Sequence, residues 1–406
     1  MNKLKTKKTN HEILNRQELS TQNKVRRYDL DWLRAIAILI LLYYHVGMIY
    51  VSWDWHINSE KTSVILEHIM VFLHQWRMPL LFFISGAGTY YALGFRSSRK
   101  YAWERTKRLF FPVIFGMLVI VPPQIYLERI FKNIYWPDHF NTYWEFYPSV
   151  FRLVPYPAGN LSWHHLWFVV YLFFFSLILI PAFLYLRKES GKKLLNGLVK
   201  VIEKKGGILL LVLPIILSQI ILKPIFREET HDLANDWAYF TFNIFFFFYG
   251  YLICSDNRFW EIIRNQRRIL LIATLLATAC LYTVYEIPNE YWPLPPMPLG
   301  YRYWWLTTAL VAWFSVITTV AYGYQYLNFN RPILKHLNEG IYPFYILHQT
   351  VIIIIGFQVL KWKLGILSGF LFVSTASLIT CIAIYWFLIK PFNPMRFVFG
   401  MKPKKL

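Results

Sequence analysis

Apolar runs long enough to cross a bilayer recur through the whole chain, and this recurrence limits the fold more than any motif does. They lie near residues 33–51, 69–92, 109–126, 167–186, 208–222, 238–254, 269–285, 303–321, 341–360 and 366–389. A helix rises about 1.5 Å per residue, so runs of this length cover roughly 30 Å of hydrocarbon. No soluble core could absorb that much apolar surface in a chain of 406 residues that is 56% hydrophobic and 16% charged. The expected fold is therefore all-α: a polytopic integral membrane protein with about ten transmembrane helices. The fifth run is short, and Gly206, Gly207, Pro214 and Pro224 punctuate it and leave its ends undefined.

A net charge of +21 would suit a nucleic-acid partner, but its distribution argues against one. Of the 43 Lys and Arg residues, 32 fall in the segments on the side of the N-terminus and nine on the other side, with Arg34 and Arg77 inside runs. Such asymmetry is the positive-inside rule, which places both termini in the cytoplasm of a multi-pass protein of the bacterial cell (inner) membrane. The partners expected from this are the lipid bilayer and, at the cationic face, its anionic headgroups, with no nucleic acid. Some thirty polar residues precede the first run without a cleavage pattern after it, so the first helix is expected to be retained. Residues 1–27 read as a disordered basic tail, 28–392 as the membrane domain and 393–406 as a second basic tail. Cys254, Cys280 and Cys381 have no CxxC spacing, so neither a disulfide framework nor a zinc site is expected. No nucleotide-binding loop is present either. Two connections, 127–166 and 286–302, are rich in aromatics and proline and suit walls of a site facing outward.

Ionisable groups in hydrocarbon are costly, which makes those inside the runs candidates for function. Arg34 and His45 are eleven residues apart, about 20° from eclipsed on a helix and roughly 16 Å along its axis. They share a face, with Arg34 at the inner boundary and His45 in the outer half. In "HQWRMPLLFFISGAG", His74 and Arg77 share a second face, and Ser85-Gly86 permits either close helix packing or substrate contact. No Asp or Glu lies inside the ten runs, so the partner of Arg77 must be a loop acid, backbone carbonyls or an anionic ligand. Arg105, Lys107 and Arg108 open the third run, where they serve either as topology signals or as a phosphate clamp. His164 and His165 point about 100° apart on a helix, so at most one should face a central cavity. His348, with Tyr342 and Tyr345 nearby, is either a packed histidine or a site residue. His74, His165 and His348 could in principle converge on zinc, but no spacing supports a metal and none is expected.

Taken in order, the Arg34-to-His45 spacing, "FFISG", "RTKRLFFP", "HLWF" and "YPFYILHQ" resemble acyltransferase family 3, the integral membrane acyltransferases, over about residues 27–390. With "PPQIYLER" and "GNLSWHHLWF", the pattern is most similar to the branch associated with succinylation of periplasmic glucans. The resemblance implies an O-acyltransferase that moves an acetyl or succinyl group from cytoplasmic acyl-CoA to a hydroxyl of an extracytoplasmic glycan or glycolipid. It implies no tightly bound cofactor, acyl-CoA being a donor substrate. His45 would be the base or acyl acceptor, with Arg34, His165 and His348 also catalytic. Arg77, His74, Ser85, Trp167 and Tyr342 would bind substrate, and Arg105 and Arg108 the donor. A carboxylate to orient His45 would have to come from Asp29, Asp31, Asp54 or Glu67, or a backbone carbonyl could replace it. The alternatives are a transporter whose anion or glycan pathway is lined by His45, Arg77 and His348, and a lipid-linked glycosyltransferase, for which external acids are scarce.

Overall fold

The computed structural model describes residues 26–134, 140–288 and 299–404, so the expected N-terminal tail falls almost entirely outside it. Every one of the ten apolar runs is helical. Among the described residues, eight helices are long and apolar enough to cross a membrane. These are α1 (Tyr28–Tyr50, its last turn tightened to 3₁₀), α2 (Val64–Gly94), α3 (Ser98–Phe131), α7 (Trp237–Cys254), α8 (Arg267–Glu286), α9 (Leu299–Tyr326), α10 (Ile333–Lys361) and α11 (Ile366–Ile389). The fourth run is a pair, α4 (His164–Ile178) and α5 (Ile180–Leu186), bent by 49°. Pro181, which cannot donate to the carbonyl of Leu177, sits at that bend. The fifth run, α6 (Gly207–Leu222), is a shorter apolar helix, as its glycines and prolines foreshadow.

Burial separates the centre of the bundle from its periphery. In α2, α7, α9 and α10, 72% of the most apolar window is buried, against 22% in α8 and 28% in α11. The latter two present residues such as Leu275, Leu276, Leu367 and Phe387 outward, as lipid-facing helices must. At the centre, α2 and α7 meet backbone to backbone. A β-carbon on Gly86 would lie 1.8 Å from the carbonyl oxygen of Phe247, and one on Gly250 would lie 1.9 Å from that of Phe83. Gly86 is therefore a packing residue, which settles half of the Ser85-Gly86 question.

Two boundaries differ from expectation, with consequences for charge. The structure carries α3 through to Phe131 because Pro122 and Pro123 stand in the first turn of a renewed helical segment, where proline's missing N–H is tolerated. Upstream of them, π-turns at Thr106–Phe110 and Gly116–Ile120 absorb the N–H groups that Pro112 and Pro122 lack. The freed carbonyls find side chains: Tyr147 Oη donates to Leu118 O (3.1 Å) and Thr350 Oγ1 to Ile120 O (2.7 Å). Likewise α2 begins at Val64 and α1 at Tyr28. The expectation that no span holds an acid is thus corrected: Asp29, Asp31, Glu67, Glu104, Glu286, Glu339 and, most importantly, Glu128 lie on these helices. Beyond residue 392 the chain still packs on the bundle. Asn393–Val398 forms a short helix, and Arg108 Nε donates to Gly400 O (3.1 Å).

Candidate active site

His45 from α1 and His348 from α10 meet at 2.8 Å, Nδ1 to Nε2, and the surrounding hydrogen bonds fix which nitrogen carries which proton. His348 Nδ1 lies 2.6 Å from the carbonyl oxygen of Tyr345, which can only accept, so this nitrogen holds the proton. His348 Nε2 is then a lone pair that accepts from His45 Nδ1–H. His45 Nε2 is left with its own lone pair free, on a ring stacked against Trp55 (6.2 Å, 9°). This corrects the expected orienter: neither a carboxylate nor a carbonyl touches His45 directly, and a neutral imidazole does the positioning. The expected acids are engaged elsewhere: Asp29 with Arg27, Asp54 with Lys132, and Glu67 with Ser52 and Tyr285. Asp31 pairs with Arg26.

His45 opens onto a cavity of about 1020 Å³ that also takes in Trp55, His56, His74, Arg77, Trp167 and His231. His74 and Arg77 do share a face there, as their spacing requires. The Arg77 guanidinium lies 3.5 Å over the Tyr44 ring and donates to His74 O (2.9 Å). Its Nε is buried without a partner, and among the described residues no carboxylate lies within ion-pair distance of it. His74 Nδ1 meets Tyr44 Oη (2.9 Å) while its Nε2 faces Glu229 at 3.6 Å.

Both His164 and His165 line the cavity, against the expectation that at most one would. The reason is local: they sit in a 3₁₀ turn, with His164 at φ +37°, so the α-helical 100° offset does not apply. His165 has both nitrogens engaged, Nε2 with Ile346 O (3.0 Å) and Nδ1 with Gln124 Nε2 (3.3 Å). It ties α4 to α10 and keeps no free nitrogen for chemistry, which revises its expected catalytic role. From Gln124 a polar seam continues through Gln349 and His56 to Glu128.

The 223–236 connection was overlooked in the sequence, although "REETHDLAND" packs four acids and a histidine into ten residues. It roofs the cavity. His231 stacks on Trp167 (4.4 Å, 19°), and burial lowers its pKa to about 4. Burial raises Asp236 to about 7, even though Tyr171 Oη donates to it at 2.6 Å. Glu229 stays below the usual carboxylate range: burial opposes its ionisation, and Lys223 and His74 outweigh that.

Toward the other end of α1 lies a second cavity of about 300 Å³, lined by Arg34, Ser85, Arg96, Arg105, Arg108 and Tyr342 among others. Ser85 thus faces this cavity while Gly86 packs. Arg105 donates to Thr89 Oγ1 (3.0 Å), leaving most of its guanidinium free. Asn338, another residue not singled out from sequence, lines this cavity with both its amide oxygen and nitrogen buried and unpartnered, as is the Tyr342 hydroxyl. Such orphaned groups are costly unless a ligand meets them. Tyr345 lines both cavities, so its ring stands between them.

A free imidazole lone pair beside one cavity and four guanidinium groups beside the other suit a transferase set within the membrane, of the acyltransferase class. The chain belongs to acyltransferase family 3: the family profile for an acyltransferase domain matches residues 27–386. It is 25% identical over 383 residues to glucans biosynthesis protein C of Escherichia coli (strain SMS-3-5 / SECEC), covering 87% of this chain and 90% of that one. It is 24% identical to the protein of that name from strain K12 over the same shares. A region of 169 residues is 30% identical to the one from Salmonella typhi, 41% of each chain. No solved structure is significantly similar to it. Membership of the family sets the transporter and glycosyltransferase alternatives aside.

Proposed function

We propose that the protein is an O-acyltransferase that carries an acetyl or succinyl group from cytoplasmic acyl-CoA to a hydroxyl of an extracytoplasmic glycan or glycolipid. The observation that supports it most is the tautomer of His45, whose free Nε2 faces a cavity large enough for a sugar. The donor enters the cationic cavity with its phosphates against Arg34, Arg105 and Arg108, guanidinium groups being suited to bidentate phosphate contact. Its extended arm passes the Tyr345 ring and the orphaned polar groups of Asn338 and Tyr342, which suit the amides of a pantetheine. Acyl-CoA remains a substrate; no resident cofactor is invoked.

In the outer cavity His45 Nε2 takes the proton of the acceptor hydroxyl as its oxygen attacks the thioester carbonyl. The new C–O bond forms, the C–S bond breaks, and the proton passes from His45 to the departing thiolate. His348 holds His45 in the tautomer this requires. The experiment that tests the reading is thioester consumption: purified protein supplied with acyl-CoA and an extracted glycan releases free CoA and acylated glycan. Absence of both products, in folded protein offered acetyl- and succinyl-CoA, overturns it.

The side assignment rests on the asymmetry of 32 against nine cationic residues. Reporter fusions at Leu406 and within residues 287–301 are expected to report opposite sides, the first cytoplasmic. Finding both on one side would invert or break the proposed route.

Arg77 bears on the choice of acyl group. A buried guanidinium with no carboxylate partner is strongly disfavoured unless something anionic meets it. The free carboxylate of a succinyl group is such a partner, placed beside His45. Arg77→Gln and Arg77→Lys are expected to lower use of succinyl-CoA far more than use of acetyl-CoA. Equal losses with both donors would make Arg77 structural and remove the case for a dicarboxylic donor.

A further inference from the structure

On the outer wall of the large cavity, three side chains from three separate segments converge. His56 comes from the loop after α1, Glu128 from the end of α3 and His164 from the turn that opens α4. One ligand-capable atom of each, His56 Nδ1, a Glu128 carboxylate oxygen and His164 Nε2, lies within 4.8 Å of the other two. His56 Nδ1 to Glu128 Oε2 is 2.7 Å, and His164 Nε2 to the same oxygen is 4.0 Å.

The remote atoms of these residues are all held away from the point of convergence. His56 Nε2 is bonded to Gln349 Nε2 (3.0 Å), and His164 Nδ1 to Ser162 Oγ (2.8 Å). Glu128 Oε1 takes Tyr156 Oη (3.0 Å) and Lys132 Nζ (3.2 Å). Ser162 Oγ also accepts from the His164 backbone N–H (3.0 Å), and in the tautomer that donates Nδ1–H to the same oxygen His164 Nε2 is a lone pair. That lone pair is buried without a partner, on a side chain only 7% exposed. The backbone beneath it is in the left-handed region, at φ +37°, a conformation that a non-glycine residue adopts at a cost and that points to a held geometry. An orphaned imidazole nitrogen, a carboxylate and a second imidazole, each oriented by an outer partner, form the pattern of a transition-metal site.

We propose that His56, Glu128 and His164 bind a divalent transition-metal ion, zinc by the chemistry of the donor set. Two imidazoles and one carboxylate form a familiar zinc set, with bonds of roughly 2.0–2.2 Å. Ligand atoms around such an ion sit about 3 to 3.5 Å apart, so the site closes by a small approach of the His164 ring. His56 Nε2 now accepts from the Gln349 amide, so ligation through Nδ1 moves the His56 proton to Nε2, with the Gln349 amide turned to present its oxygen, and the ring stays neutral. The ion would tie the loop after α1, the end of α3 and the start of α4 into one rim of the acceptor cavity. The Lys132 ammonium opposes it but stands on the other carboxylate oxygen and is shared with Asp54 (2.8 Å).

The test uses the full chain in detergent, stripped with a chelator and titrated with zinc against a chromophoric competitor, with cobalt absorption as a second readout. Wild type is expected to take up about one ion per chain, with cobalt giving a low-symmetry four- or five-coordinate spectrum. His164→Gln and Glu128→Gln are expected to weaken uptake by at least about 10²-fold. His74→Gln, which alters a cavity histidine outside the cluster, should leave uptake unchanged. Lys132→Met should tighten binding several-fold. A wild-type chain that takes up no zinc, or uptake that His164→Gln leaves intact, overturns the site. Should the ligand variants fail to fold, Lys132→Met decides alone, tighter binding supporting the site and unchanged binding overturning it.

Discussion

Replacing His45 with alanine is expected to lower acyl transfer by about 10² to 10⁴, the usual contribution of a general base, with folding and donor binding kept. The informative comparison is with His348, which acts on the reaction only through His45. His348→Leu removes the acceptor for His45 Nδ1–H and frees the ring to take the wrong tautomer. His348→Gln can still offer an amide oxygen at that point, so it should retain much more turnover than His348→Leu. Both variants should change kcat more than the KM for acyl-CoA, because the donor's anchoring groups lie at the other end of α1. A folded His45→Ala protein with full turnover would remove this residue from the mechanism. Equal loss in the two His348 variants would remove the tautomer argument and leave His348 a packing residue.

The second large effect is expected at the cationic cavity. Arg105→Gln together with Arg108→Gln should weaken acyl-CoA binding, with a smaller effect on acceptor affinity. The physical reason is that Arg105 spends one nitrogen on Thr89 and Arg108 one on Gly400, which leaves the rest of both guanidinium groups for an anion. Each lost charge-assisted contact is worth roughly 1.5–3 kcal/mol, so the pair predicts a loss of two to four orders of magnitude in donor affinity. The readout is direct binding of CoA, which needs no acceptor. Unchanged affinity in a folded double variant would return the two arginines to the role of topology signals. An Asn338→Leu variant placed beside it separates the two halves of the donor, because it should spare binding of the nucleotide fragment and weaken the whole thioester.

Much of this was legible before any coordinates. The ten apolar runs predicted ten helical segments, and the prolines and glycines of the fifth marked the one that proved short. The Arg34–His45 and His74–Arg77 spacings fixed shared faces because helical periodicity is a local property. Arg34, Ser85, Arg105, Arg108 and Tyr342, singled out from where charge and small residues sit along each run, line one cavity in the structure. What escaped was non-local or depended on irregular backbone. His164 and His165 were expected to diverge because the calculation assumed an α-helix, and a 3₁₀ turn turned both inward. Glu128 was read as part of a connection because the third run stopped short of the helix that Pro122 and Pro123 renew.

The sequence by itself determined that this chain lives in a bilayer, which of its residues carry charge into it, and which of those share a helix face. These follow from the cost of burying polar groups in hydrocarbon and from the fixed 3.6-residue turn. Only the tertiary structure decided that His348, 303 residues away, orients His45, that His165 is fully engaged in wall contacts, and that Arg77 has a ring rather than a carboxylate for company. Hydrogen-bond partners chosen across helices depend on how the bundle packs, and in this chain that packing is set by contacts such as Gly86 on Phe247, whose partner no local pattern names.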